Sequence, residues 1–141
     1  MNFGGHLKVT LLDFPDHVAT TLFTNGCNMR CPFCHNAHLV CECDQVIATE
    51  EIVSYLNKRK AVLEGVCISG GEPLLQKDIV EFITMVKEMG YSVKLDTNGT
   101  SYEKLLYLVE NNLVPSTTHP RKRSRYGKVA CWLSRVVSST I

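Results

Sequence analysis

Hydrophobic residues recur along the chain with two different periods. The run VATTLFT at 18–24 is β-branched and apolar and stops at Asn25-Gly26, which predicts a strand. Residues 8–12, KVTLL, predict a shorter strand ahead of Asp13-Phe14-Pro15. Thr49 stands where a helix cap belongs, with Glu50 and Glu51 in the first turn, where the helix dipole favours anions. Ile52, Val53 and Leu56 share one side of that helix, and Lys58-Arg59-Lys60 close it. VCIS at 66–69 reads as a short buried strand halted by Gly70-Gly71. The clearest helix spans 77–89, where Ile79, Phe82, Ile83, Val86 and Met89 recur at helical spacing and Gly90 suits the position just past the end. YSVKLD at 91–96 predicts a strand ended by Thr97-Asn98-Gly99. Ser101 then caps a helix carrying Leu105, Leu106, Leu108 and Val109.

Strand and helix therefore alternate from residue 18 onward. Such alternation predicts an α/β fold with a parallel sheet and right-handed crossovers. Ligands of such sheets gather where the carboxyl ends of the strands meet the loops that follow. Three unusual loops occupy those ends: a cysteine cluster after 18–24, Gly-Gly-Glu-Pro after 66–69, and Thr-Asn-Gly after 91–96. All three are expected on one face.

Composition adds a boundary. The 141 residues suit one domain, and 45% hydrophobic with 21% charged residues excludes a disordered or fibrous chain. A net charge of +1 gives no global attraction to nucleic acid or anionic membrane, and no apolar run reaches the roughly 20 residues of a membrane span. The opening Met-Asn-Phe-Gly-Gly-His lacks the basic-then-apolar order of a secretory signal, so a cytoplasmic location is expected. Residues 1–114 hold nine basic and fourteen acidic side chains, a net of −5, whereas 115–141 hold six basic and no acidic ones, a net of +6. So sharp a break places a boundary near Val114. The tail has two prolines and eight Ser or Thr, and its Arg121-Lys122-Arg123-Ser124-Arg125 run reads as a solvated segment.

Seven cysteines in a chain with no secretory signal are expected as thiols, metal ligands or core residues. Cys27, Cys31 and Cys34 form C-x3-C-x2-C. Three thiolates within eight residues are one short of a closed tetrahedral or cubane site, and an open position is what a substrate-binding centre needs. Other patterns share these residues. Cys31 to Cys34 is also a thioredoxin-type C-x-x-C, and with His35 it becomes the C-x-x-C-H of haem attachment. Structural zinc is the strongest rival, with His35, Cys41 or Cys43 as fourth ligand. The other loops favour an open centre. Gly70-Gly71 allows close approach of backbone to a ligand, Glu72 offers an acceptor to an ammonium, and Asp96 and Asn98 suit sugar hydroxyls. A chelating amino acid joined to a sugar is the shape of S-adenosylmethionine.

Cys27-x3-Cys31-x2-Cys34, with Phe33 before the third cysteine and Gly70-Gly71-Glu72-Pro73 at a later strand end, resembles the radical S-adenosylmethionine enzymes. Within them, DFPDHVATTLFTNGCNMRCPFCHN and GVCISGGEPLLQ resemble the activating proteins of anaerobic ribonucleoside-triphosphate reductase, over residues 1–114. The resemblance implies a parallel-sheet partial (β/α) barrel, truncated at its C-terminal side, with 1–114 as its N-terminal part. It implies that Cys27, Cys31 and Cys34 hold a [4Fe–4S] cluster whose free iron chelates S-adenosylmethionine. Phe33 and His35 would lie against that ligand, Gly70, Gly71 and Glu72 near its methionine amine, and Asp96 and Asn98 near its ribose. The implied chemistry is reductive cleavage, fed by a low-potential electron donor, to a 5′-deoxyadenosyl radical that abstracts hydrogen from a glycine of the partner reductase. Activation of another glycyl-radical enzyme, such as pyruvate formate-lyase, is the nearest alternative; a non-catalytic zinc module and an inactive remnant are the others.

Two departures stand out. The Asp-x-Lys strand expected after Val114 is replaced by Pro115-Ser-Thr-Thr-His-Pro120, which an out-of-frame or disordered tail would explain. Asp16 replaces the glycine expected after Pro15. The remaining candidates receive plain readings. Cys67 is a small core residue, Cys41 and Cys43 are surface thiols, Cys131 has no role, and His6, His17, His38 and His119 are surface or loop histidines.

Overall fold

The computed structural model describes residues 1–41 and 46–115. Cys43 and the tail readings, including His119, Cys131 and the Arg121–Arg125 run, lie outside them. The described chain forms strands β1 (Phe3–Thr10), β2 (Ala19–Thr24), β3 (Gly65–Gly70) and β4 (Ser92–Leu95), with helices α1 (Thr49–Arg59), α2 (Ile79–Glu88) and α3 (Tyr102–Glu110). The sheet order is β1-β2-β3-β4. β2, β3 and β4 run parallel, each pair separated by a helix, as the alternation predicts.

β1 departs from its prediction twice. It starts at Phe3 rather than residue 8, because the glycines of FGGHLKVT hide a strand from a propensity reading. It ends at Thr10, whose hydroxyl oxygen accepts the N–H groups of Leu12 and Asp13, turning the chain and leaving Leu11 and Leu12 exposed. The short return to β2 makes this pair antiparallel, on the edge of the parallel set.

Alternation along the strands sorts side chains to two faces. Leu22, Val66, Ile68, Val93 and Leu95 face one core with Ile52 and Leu56 of α1, four residues of α2, and Leu105 and Leu108 of α3. The other face carries the register row Thr21–Cys67–Lys94.

The helix ends differ from prediction in detail. Ala48, not Thr49, is the N-cap of α1, and the Thr49 hydroxyl bonds the backbone of Met1. Ser101 is the N-cap of α3 but makes no side-chain cap bond. Gly90 ends α2 at φ +96°, as its position predicts. No helix of the described residues is long and apolar enough to cross a membrane.

Candidate cofactor site at the strand ends

The three loops meet on one face, as expected. β2 ends level with β3, Thr24 opposite Gly70, so the loops that follow leave side by side. Gly71 donates its N–H to Thr24 O at 2.9 Å, and Glu72 donates its own to Gly26 O at 2.8 Å. This backbone contact has no room for a side chain. A Cβ on Gly71 would stand 2.0 Å from Gly26 O, and one on Gly70, at φ +109°, 2.4 Å from Thr24 N. The Gly70-Gly71 pair is therefore required by the approach of the cysteine loop itself.

Glu72 takes a different task from the one its sequence suggests. It is fully buried rather than presented to a bound ammonium. Oε1 accepts Leu74 N–H at 3.0 Å and the Thr97 hydroxyl at 2.6 Å, and Oε2 accepts Asn98 N–H at 2.6 Å. Burial pushes its pKa above the usual carboxylate range, and the three donors pull it back in part. One side chain thus ties the loop after β4 to the loop after β3, which in turn holds the cysteine loop.

Asn98 completes the bracket. Its side-chain amide donates to Asn28 Oδ1 at 2.9 Å and approaches Cys27 Sγ at 3.9 Å, and its Oδ1 accepts from the Thr100 hydroxyl at 2.7 Å. Cys27 Sγ also accepts Met29 N–H at 3.4 Å. Asp96 stands apart, its Oδ1 on Lys94 Nζ at 2.5 Å and its Oδ2 accepting the Cys67 thiol at 3.5 Å. Cys67 is buried, as read from the sequence, but not inert packing. Burial and the neighbouring Asp96 push its thiol up to about 12.

Cys27, Cys31 and Cys34 are free thiols of one loop, with Cys31 exposed and the other two half-buried. Cys34 N–H donates to Cys31 O at 3.1 Å, so the C-x2-C half is a tight turn. Three unpaired thiols are the donor set that three corners of an iron–sulfur cube require. Among the described residues no group of three or more His, Cys, Asp or Glu side chains is drawn together tightly enough to hold a metal ion, so a bound cluster would gather these sulfurs. Phe33 is 93% exposed and His35 is also exposed, so both are open to a ligand rather than packed in the fold. Cys41 is exposed, as expected of a surface thiol.

Sequence reading missed three contributors: Thr97, Asn28 and Lys94. Only Lys94 carried a signal, since in SVKLD it shares a face with Asp96 while Val93 and Leu95 take the other.

The chain is thus a parallel α/β domain whose free-thiol loop is clamped at the strand ends, where it offers sulfur donors to a metal cofactor. The sequence matches the radical SAM superfamily over residues 21–119. The chain belongs to that superfamily, whose members use a [4Fe–4S] cluster and S-adenosylmethionine. It is 39% identical over 111 residues to a Methanocaldococcus jannaschii protein named as a glycyl-radical enzyme activating enzyme, covering 78% of this chain and 45% of that one. It is 33% identical over 98 residues to the pyruvate formate-lyase-activating enzyme of Clostridium pasteurianum, covering 65% and 41%. The chain thus spans less than half the length of these relatives. The crystal structure of QueE from Escherichia coli shares the fold, with a TM-score of 0.57 at 18% identity over 70% of this chain and 52% of that one.

Proposed function

We propose that this chain is the cofactor-binding part of a radical SAM activase that installs a glycyl radical on an anaerobic ribonucleoside-triphosphate reductase in the cytoplasm. The observation that carries the reading is the clamp of three strand-end loops: Glu72 and the Gly71–Gly26 contact bring the cysteine loop against the Asp96–Asn98 segment.

Cys27, Cys31 and Cys34 would hold the [4Fe–4S] cluster, leaving one iron for the ligand. A cluster held there would, once reduced by a low-potential donor, supply one electron for reductive cleavage of S-adenosylmethionine. The protein's own work is placement. Backbone groups at Gly70-Gly71 would meet the methionine amine, which leaves Glu72 to hold the loops. Asp96 and Asn98 would take the ribose hydroxyls, and Phe33 and His35 would close over the ligand from the cysteine loop. The choice of reductase rests on the DFPDHVATTLFTNGCNMRCPFCHN resemblance. The 33% match to a pyruvate formate-lyase-activating enzyme supports the alternative target.

The test incubates the anaerobically reconstituted chain, reductant and S-adenosylmethionine with each candidate partner in turn. The expected result is a glycyl-radical EPR doublet on the ribonucleotide reductase, lost in Cys31→Ala. A doublet on pyruvate formate-lyase alone would move the target to that enzyme. No doublet on either, with S-adenosylmethionine still cleaved, would remove the activase reading.

A further inference from the structure

We propose that Lys94 is a positioning residue which, with Cys67, fixes the Asp96 carboxylate for the two hydroxyls of a ribose. The inference deepens the proposed function and rests on its placement of Asp96 at the sugar.

In β4, Val93 and Leu95 enter the core, which sends Lys94 and Asp96 to the opposite face. A half-buried ammonium is costly there unless a partner replaces its water. Lys94 Nζ meets Asp96 Oδ1 at 2.5 Å, with side-chain exposures of 22% and 31%. Burial works to lower the Lys94 pKa, but its bond to Asp96 and the neighbouring Cys67 leave it raised, so it remains an ammonium. Cys67 lies directly across the register from Lys94 and is fully buried. Its thiol donates to Asp96 Oδ2 at 3.5 Å and its sulfur accepts from Lys94 Nζ at 3.7 Å. Each carboxylate oxygen therefore has one protein partner.

An ionised carboxylate has about four acceptor sites. Two are taken here, one on each oxygen, and two are left for an incoming pair of hydroxyls. The partners also set the preference. With Lys94 balancing its charge, Asp96 is poorly suited to a bare cation and well suited to a neutral diol. Holding the carboxylate in advance removes ordering that binding would otherwise have to supply.

The experiment is calorimetry on the anaerobically reconstituted full chain, titrated with S-adenosylmethionine and, separately, with methionine, which carries the chelating groups but no ribose. Lys94→Met and Asp96→Asn should each weaken S-adenosylmethionine binding about tenfold. The double variant should be no worse than Asp96→Asn, since the two act as one unit. Lys94→Arg should recover most of the loss, and methionine should bind all variants alike. Wild-type S-adenosylmethionine binding by Lys94→Met, with Asp96→Asn still weak, overturns the positioning role and leaves the Asp96 reading standing. Wild-type binding by Asp96→Asn overturns both. An equal loss of methionine binding overturns the proposal in favour of a general collapse of the loop. If Lys94→Met does not fold, Cys67→Ala keeps the charge pair and removes the thiol; it should weaken S-adenosylmethionine binding alone, and unchanged binding overturns the proposal.

Discussion

At the scale of single residues, Glu72 and Asp16 show how context redefines a side chain. Glu72 reads from the sequence as a ligand contact and sits in the fold as a buried acceptor for three protein donors. Glu72→Gln turns one acceptor into a donor facing a donor, and should cost about 2 kcal/mol at neutral pH in urea unfolding. The pH dependence has a definite sign. A carboxyl whose folded pKa is raised favours the folded state most when protonated, so its contribution is full below the ordinary value and falls as pH rises through the raised one. The stability advantage of wild type over Glu72→Gln should therefore be larger at pH 4 than at pH 7; a gap that widens upward would contradict this. Asp16, noted from the sequence as standing in for a glycine, has φ 63°, a left-handed conformation that glycine adopts without strain. Asp16→Gly relieves that strain but loosens the unfolded chain, so a gain of roughly 0.5 kcal/mol is expected from the same unfolding curves.

At the scale of elements, the parallel set was legible because its signals are strong and local. The period of Ile79, Phe82, Ile83 and Val86 locates α2, and Gly90 marks its end. β1 was only half legible, because its two glycines and the Thr10 turn depend on neighbours rather than on pattern. The convergence of the three loops followed from topology. The clamp joining them did not, since the reach of Glu72 to Thr97 and Asn98 spans 25 and 26 residues and leaves no periodic trace. Two glycines separate conformational need from close packing. Gly90→Ala meets nothing within 4 Å, so only its positive φ costs, about 1 kcal/mol. Gly71→Ala drives a methyl into Gly26 O, a backbone atom that cannot rotate away. Thermal unfolding should show Gly71→Ala at least 2 kcal/mol worse than Gly90→Ala. Equal losses would mean that the cysteine loop is not held by this contact.

At the scale of the whole molecule, one sheet separates two environments. Helices and aliphatic residues fill one face, and the polar row Thr21–Cys67–Lys94 lies on the other. The charge break read near Val114 falls just past α3 and the Asn112 turn, at φ 54°. The chain spans less than half of its relatives, which makes the competence of this part the central question. The most direct measurement is EPR on the anaerobically reconstituted, reduced chain, with and without S-adenosylmethionine, alongside metal and sulfide analysis. A [4Fe–4S] signal that changes on adding the ligand, and is absent in Cys27→Ala, is the predicted result. A cluster signal indifferent to the ligand, or bound zinc with no inorganic sulfide, would contradict it.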